Sequence, residues 1–119
     1  MKVFVYFNLH KKMFSIKALE GVNKGRVIGH ADAVVLDDVT FKVSEAGRQR
    51  VLRERKKNVH AGVVGQLNAQ GIRLISAAVS LATNVTYNPY KYQSFVDAVT
   101  LEPVMNADKA LLVNKRIYI

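Results

Sequence analysis

The chain has 119 residues, half of them hydrophobic, so it can bury one core and lacks the composition of a disordered protein. Lys and Arg number 18 against 9 Asp and Glu, which gives a formal net charge of +9 at pH 7, and the absence of cysteine excludes disulfides and thiolate chemistry. No apolar stretch approaches the length of a membrane span, and the first residues alternate too strictly for a signal peptide. We therefore expect one domain, residues 1–119, in the cytoplasm, with no membrane partner.

The first third of the chain carries the period-two alternation of β-strands. Asp37 and Asp38 are interpreted as a β-turn, because aspartate side chains bond to nearby backbone in turns. Four strands, give or take one, are predicted in this part of the chain. The extended segments are 2–9, 13–19, 26–31, 33–36 and 39–43.

Ser44 is predicted to be the N-cap of the longest helix. Glu45 follows in the first turn, where a carboxylate favours the positive end of the helix dipole, and no proline occurs before Asn58. We therefore predict a helix that begins near Ser44 and ends near Asn58. Its apolar stripe, which would dock on the sheet, consists of Val51, Leu52 and Val59.

The same segment holds the densest charge in the chain. Residues 48–57, the basic run, carry six cations against one carboxylate, Glu54. Such a density favours contact with nucleic-acid phosphates or with an acidic protein surface, although a solvated helix face is the alternative. Arg48 and Arg55 project towards the apolar stripe. There they would extend their charged ends to water, line a cleft, or pair with a carboxylate, for which Asp37, Asp38 and Glu54 are the candidates.

The second half of the chain again favours β-structure. Residues 61–67 and 72–75 are predicted to form a hairpin around the turn 68–71, and residues 76–81 suit either a buried strand or a short helix. Short strands are predicted at 83–87, 94–99, 109–113 and 116–119, the last two joined by a tight turn at 114–115. The fold class is thus α+β: a mainly antiparallel β-sheet or partly open barrel, with one basic amphipathic helix inserted mid-chain.

Residues 87–92, the tyrosine loop, place three tyrosines around Pro89 and Lys91. Flat rings interleaved with a cation are typical of surfaces that stack unpaired bases, whereas tyrosines at strand ends also pack into cores. We assign Tyr87 to the core and Tyr90 to the surface. The predicted nucleic-acid contact residues of the whole chain are Arg48, Arg50, Arg53, Arg55, Lys56, Lys57, Tyr90, Lys91 and Tyr92.

The sequence contains few residue patterns that are typical of catalytic sites. The three histidines, His10, His30 and His60, stand far apart with no metal-ligand spacing, and no phosphate-binding or nucleophile motif occurs. His30 and Asp32 would share one face of a strand, but spacing alone does not support a nuclease site there. We expect no enzymatic activity, no metal and no cofactor.

The chain also resembles a group of small uncharacterised proteins encoded by tailed bacteriophages. The resemblance rests on residues 25–32, 41–52, 57–62 and 87–90 and covers most of the chain. It brings no catalytic residues, but it implies action in the host cytoplasm, by binding nucleic acid or by blocking host machinery.

Three functions are compatible with these patterns. The first is a non-enzymatic nucleic-acid-binding accessory protein, for DNA or RNA, whose basic helix contacts the phosphate backbone. The second is a protein-interaction factor that binds and inhibits an acidic surface of a host nucleic-acid-processing or defence protein. The third is a structural component of the virion.

Overall fold

The computed structural model describes residues 1–56, 59–68 and 83–119. Within these ranges nine strands form one antiparallel sheet, and one α-helix lies between the fourth and fifth strands. The predicted α+β class is confirmed. In chain order the elements are β1 (Lys2–Asn8), β2 (Met13–Ala18), β3 (Val27–Ala31), β4 (Ala33–Val43), α1 (Glu45–Glu54), β5 (Ala61–Leu67), β6 (Asn84–Thr86), β7 (Val96–Asp97), β8 (Asn106–Val113) and β9 (Arg116–Tyr118).

The strands lie in the spatial order β3-β2-β1-β5-β4-β8-β9-β6-β7. The predicted hairpin of β1 and β2 is confirmed, and the strand at 61–67 is found with the predicted bounds as β5, paired with β1 on one side and β4 on the other. Its predicted hairpin partner at 72–75, and the segment 76–81, lie outside the described residues.

The β-turn predicted at Asp37 and Asp38 is wrong, because the strand β4 continues through both residues. Asp38 instead adopts a left-handed φ of 51°, and the pairing of β4 with β5 shifts register between Asp37 and Thr40. An irregularity of this kind lets an extra residue bend a strand without ending it. The long pairing of β4 with β8 keeps the strand continuous through both residues.

One face of the sheet carries the main core, which includes Val3, Val5, Leu36 and Val63. Phe41 of β4 and Phe95, just before β7, approach to 5.1 Å between ring centroids, although three strands separate β4 from β7 in the sheet. The sheet must therefore curl so that its β6–β7 end returns over its own inner face. The concave side of this curl is where the helix and the tyrosine loop lie.

Ser44 caps α1 as predicted, since its Oγ accepts a hydrogen bond from the Gly47 N–H at 3.2 Å. The helix ends at Glu54 rather than near Asn58, because Arg55 takes a left-handed φ of 54° and donates its N–H to the Val51 carbonyl. Of the predicted apolar stripe only Val51 is buried, at 6% exposure. In the described part of the chain no helix has the length and hydrophobicity needed to cross a membrane.

Candidate functional site

Arg48 joins the helix to the tyrosine loop. It is 8% exposed, and its Nε donates to the carbonyl oxygens of Pro89 at 3.1 Å and Tyr92 at 3.2 Å. Its Nη1 lies 3.2 Å from Oε1 of Glu45, one turn earlier on the helix. The guanidinium serves all three acceptors at once, because its single Nε–H is shared between the two carbonyls while Nη1 donates to the carboxylate. Arg48 thus fixes the position of the loop relative to α1.

The loop is also ordered from within. The Oδ1 of Asn88 accepts a hydrogen bond from the Tyr90 N–H, and the Asn88 carbonyl accepts from the N–H groups of Lys91 and Tyr92. Asparagine before proline is typical of such turns, since its side chain replaces a backbone partner. The arrangement leaves the Tyr90 side chain 61% exposed, as predicted.

Tyr87 forms the base of the loop and packs in the core, as predicted. Its ring lies 5.0 Å from that of Phe95, and its hydroxyl lies 3.0 Å from Nε2 of His60. Burial raises the pKa of the Tyr87 phenol above its usual value, an effect that the nearby Arg48 guanidinium partly offsets. On the helix, the hydrogen bond from Gln49 and then the charge of Arg48 lower the pKa of the Glu45 carboxyl.

Between these elements and the sheet lies an open groove of about 1060 Å³, called here the basic groove. Its lining includes parts of the chain after the helix, the tyrosine loop, the end of β1 and the β8–β9 turn. Among these residues are Arg55, Lys56, Tyr90, His10 and Lys115. Among the described residues that line it, none is Asp or Glu, so the groove is a cationic cleft over an apolar floor.

The structure places eight of the nine predicted contact residues, in three environments. Arg55, Lys56 and Tyr90 line the basic groove, whereas Arg48 is committed to internal hydrogen bonds. Tyr92 is half-buried and offers its carbonyl to Arg48. The remaining residues are Arg50, Arg53 and Lys91, which are exposed outside the groove lining, and Lys57, which lies outside the described residues.

Two residues that line the groove, His10 and Lys115, are not among the predicted contact residues. Lys115 occupies the tight turn predicted at 114–115, where both residues adopt left-handed φ values, and its Nζ lies 5.7 Å from the centroid of the Phe7 ring. His10 follows β1 in the first hairpin. The sequence shows both as polar or cationic turn residues, but only the fold brings the two turns to the groove that Arg55 and Lys56 also line.

His30 contacts a serine on the neighbouring strand. Its Nδ1 lies 2.9 Å from the Ser15 Oγ, a distance at which a histidine could activate a serine. However, Ser15 has no exposed surface and its hydroxyl also accepts from Asn8 Nδ2, so a substrate has no route to it. Within the described ranges, no three His, Asp or Glu side chains are grouped to hold a metal ion.

Comparison with known proteins places the chain in a bacteriophage family. The family model described as Mycobacterium phage L5 gene 82 protein matches residues 1–119. The chain belongs to this family. The gene 82 protein of Mycobacterium phage L5 itself is 42% identical over 118 residues, which cover 94% of this chain and 90% of that protein. No solved structure matches.

Membership of the gene 82 family confirms the resemblance to small bacteriophage proteins that the sequence motifs indicated. The family name describes no activity. The functional assignment therefore depends on the chemistry of the basic groove.

Proposed function

We propose that this bacteriophage protein is a non-enzymatic nucleic-acid-binding accessory protein that acts in the host cytoplasm. The observation that carries the proposal is the Arg48 anchor, which holds the tyrosine loop against the helix so that Tyr90 and the cations Arg55 and Lys56 line one groove. A cationic cleft with an exposed aromatic ring suits a polyanion that also offers flat bases.

The outer face of the helix supplies further cations. Arg50 and Arg53 are exposed, and Arg50 has only a surface ion pair with Glu54, at 3.7 Å. Exposed pairs of this kind contribute about 0–1 kcal/mol, so Glu54 does not hold the Arg50 guanidinium away from a phosphate. The chain-wide charge of +9 adds long-range attraction to any nucleic acid.

The test is a salt titration of affinity with labelled duplex DNA, single-stranded DNA and RNA, measured by fluorescence anisotropy. Replacing Arg50 and Arg53 together with alanine should weaken binding and make the slope of log K against log salt shallower by about 1.4 to 1.8, since each phosphate contact contributes roughly 0.7 to 0.9.

The matched control is the double variant Lys24→Ala/Arg26→Ala, which removes the same charge from the exposed loop before β3. It should alter the slope much less. If the wild type binds none of the three nucleic acids at low salt, the proposal is false.

A second candidate is the protein-interaction factor that captures an acidic surface of a host nucleic-acid-processing or defence protein. The favouring observation is β3, an edge strand on which Val27 and Ile28 are exposed. An edge strand offers unpaired backbone groups to an added strand, and the two side chains would supply apolar contact. Retained binding to a host protein by a variant that has lost the groove cations would favour this candidate over the first.

A further inference from the structure

The basic groove offers a ligand cations from two parts of the chain. The chain after the helix supplies Arg55 and Lys56, and the exposed ring of Tyr90 lines the same groove. The β8–β9 turn supplies Lys115, whose ammonium lies 5.7 Å from the centroid of the Phe7 ring. A chain of negative charges that lies in the groove would therefore meet cations from both segments.

The backbone is left-handed at two of these cations. Arg55 is the residue that ends the helix, with a φ of 54°, and Lys115 is the second residue of the β8–β9 turn, with a φ of 64°. The fold therefore fixes the direction in which each of the two side chains leaves the backbone.

The groove also has an apolar and partly aromatic lining, which includes Phe7, Phe95 and Ile117. Apolar surface of this kind suits the faces of bases. In a duplex those faces are stacked on one another and only the base edges and the backbone are accessible. Unpaired bases, in contrast, can leave the stack and lie on an aromatic ring.

We infer that the basic groove is a single-strand site, in which a base stacks on Tyr90 while the backbone phosphates contact Arg55, Lys56 and Lys115. The inference rests on the proposed function and names its ligand class. Both single-stranded DNA and single-stranded RNA carry this chemistry, so each is an arm of the test.

The test compares Tyr90→Leu and Lys115→Asn with the wild type. The probes are fluorescein-labelled oligothymidylate and oligouridylate of about 12 nucleotides, within the usual site size of single-strand grooves, and a labelled DNA duplex. Leucine keeps apolar bulk at position 90 but removes the flat ring. Asparagine removes the charge at position 115 and tolerates the left-handed backbone better than alanine does.

Tyr90→Leu should lower the affinity for one or both single strands about 5- to 150-fold, the usual worth of one stacked base, and should change duplex affinity less than twofold. Lys115→Asn should make the single-strand salt slope shallower by about 0.7. Tyr90→Phe, which keeps the ring, should restore single-strand affinity. Lys24→Asn, which removes a distant exposed lysine, is the matched charge control.

The outcomes separate this inference from the proposed function. If Tyr90→Leu binds single strands as tightly as the wild type, or loses single-strand and duplex affinity equally, the single-strand site is wrong. If, in addition, the Arg50 and Arg53 substitutions weaken binding, the proposed function stands without it. Thermal melting of each variant shows whether it is folded, and because Tyr90 is 61% exposed its replacement should leave the melting temperature unchanged.

Discussion

Replacing Arg48 with methionine should detach the tyrosine loop from the helix. The substitution keeps most of the buried stem but removes the guanidinium that serves the Pro89 and Tyr92 carbonyls. One Nε–H is shared between the two carbonyls, so they count as about one hydrogen bond from a charged donor, worth about 1.5–3 kcal/mol. The pair with Glu45 adds little, because the Glu45 side chain is 59% exposed.

We therefore predict that Arg48→Met lowers the free energy of unfolding by about 1.5–3 kcal/mol, measured by urea denaturation followed by circular dichroism. Arg50→Met is the matched control, since it changes an exposed arginine on the same helix and should cost less than about 0.5 kcal/mol. Equal stability of the two variants would refute the anchoring role of Arg48. At temperatures where Arg48→Met remains folded, its single-strand affinity should also fall, because Tyr90 loses its fixed position.

Three further predictions address the helix and the base of the loop. Arg55→Gly should raise the free energy of unfolding by about 0.5–1 kcal/mol, because glycine adopts the left-handed conformation without strain, and reduced stability would contradict the assigned helix end. The same variant should bind nucleic acid more weakly in anisotropy titrations. Val51→Ala should cost about 1.5–3 kcal/mol in urea denaturation and Leu52→Ala less, because Val51 is buried and Leu52 only half-buried; the reverse order would place the wrong residue against the sheet. Because folding raises the pKa of the Tyr87 phenol, the phenol ionises at lower pH in the unfolded chain, and the free energy of unfolding should fall as pH rises above about 10. The fall should be steeper than in Tyr87→Phe; parallel plots of stability against pH for the two proteins would contradict the burial of the phenol.

The features that depend on local sequence could be predicted well. Ser44 caps the helix, residues 61–67 form a strand, and residues 114–115 form a tight turn, because each depends on the preferences of a few adjacent residues. The helix end was placed too late, because composition alone does not show that Arg55 adopts a left-handed conformation.

The features that depend on distant pairing could not be predicted in the same way. A turn was predicted at Asp37 and Asp38, but the structure has an irregularity within β4 there, since the pairing of β4 with β8 outweighs the local turn preference. Lys115 lines the same groove as Arg55 and Lys56, and no local pattern encodes the strand order that brings the β8–β9 turn there. The sequence groups Arg48 with the other cations of the basic run. In the fold its side chain is buried against the loop, so it positions the loop and does not offer its charge to a ligand.

NMR titration of the ¹⁵N-labelled protein with oligothymidylate and oligouridylate shows whether single-stranded nucleic acid enters the basic groove. The largest amide shift changes should occur at Arg55, Lys56, Tyr90 and Lys115, which line the groove. The amides of the edge strand β3 should remain unchanged. Shift changes confined to β3 or to the outer face of the helix, or no change with either oligonucleotide, would show that the groove is not a single-strand site.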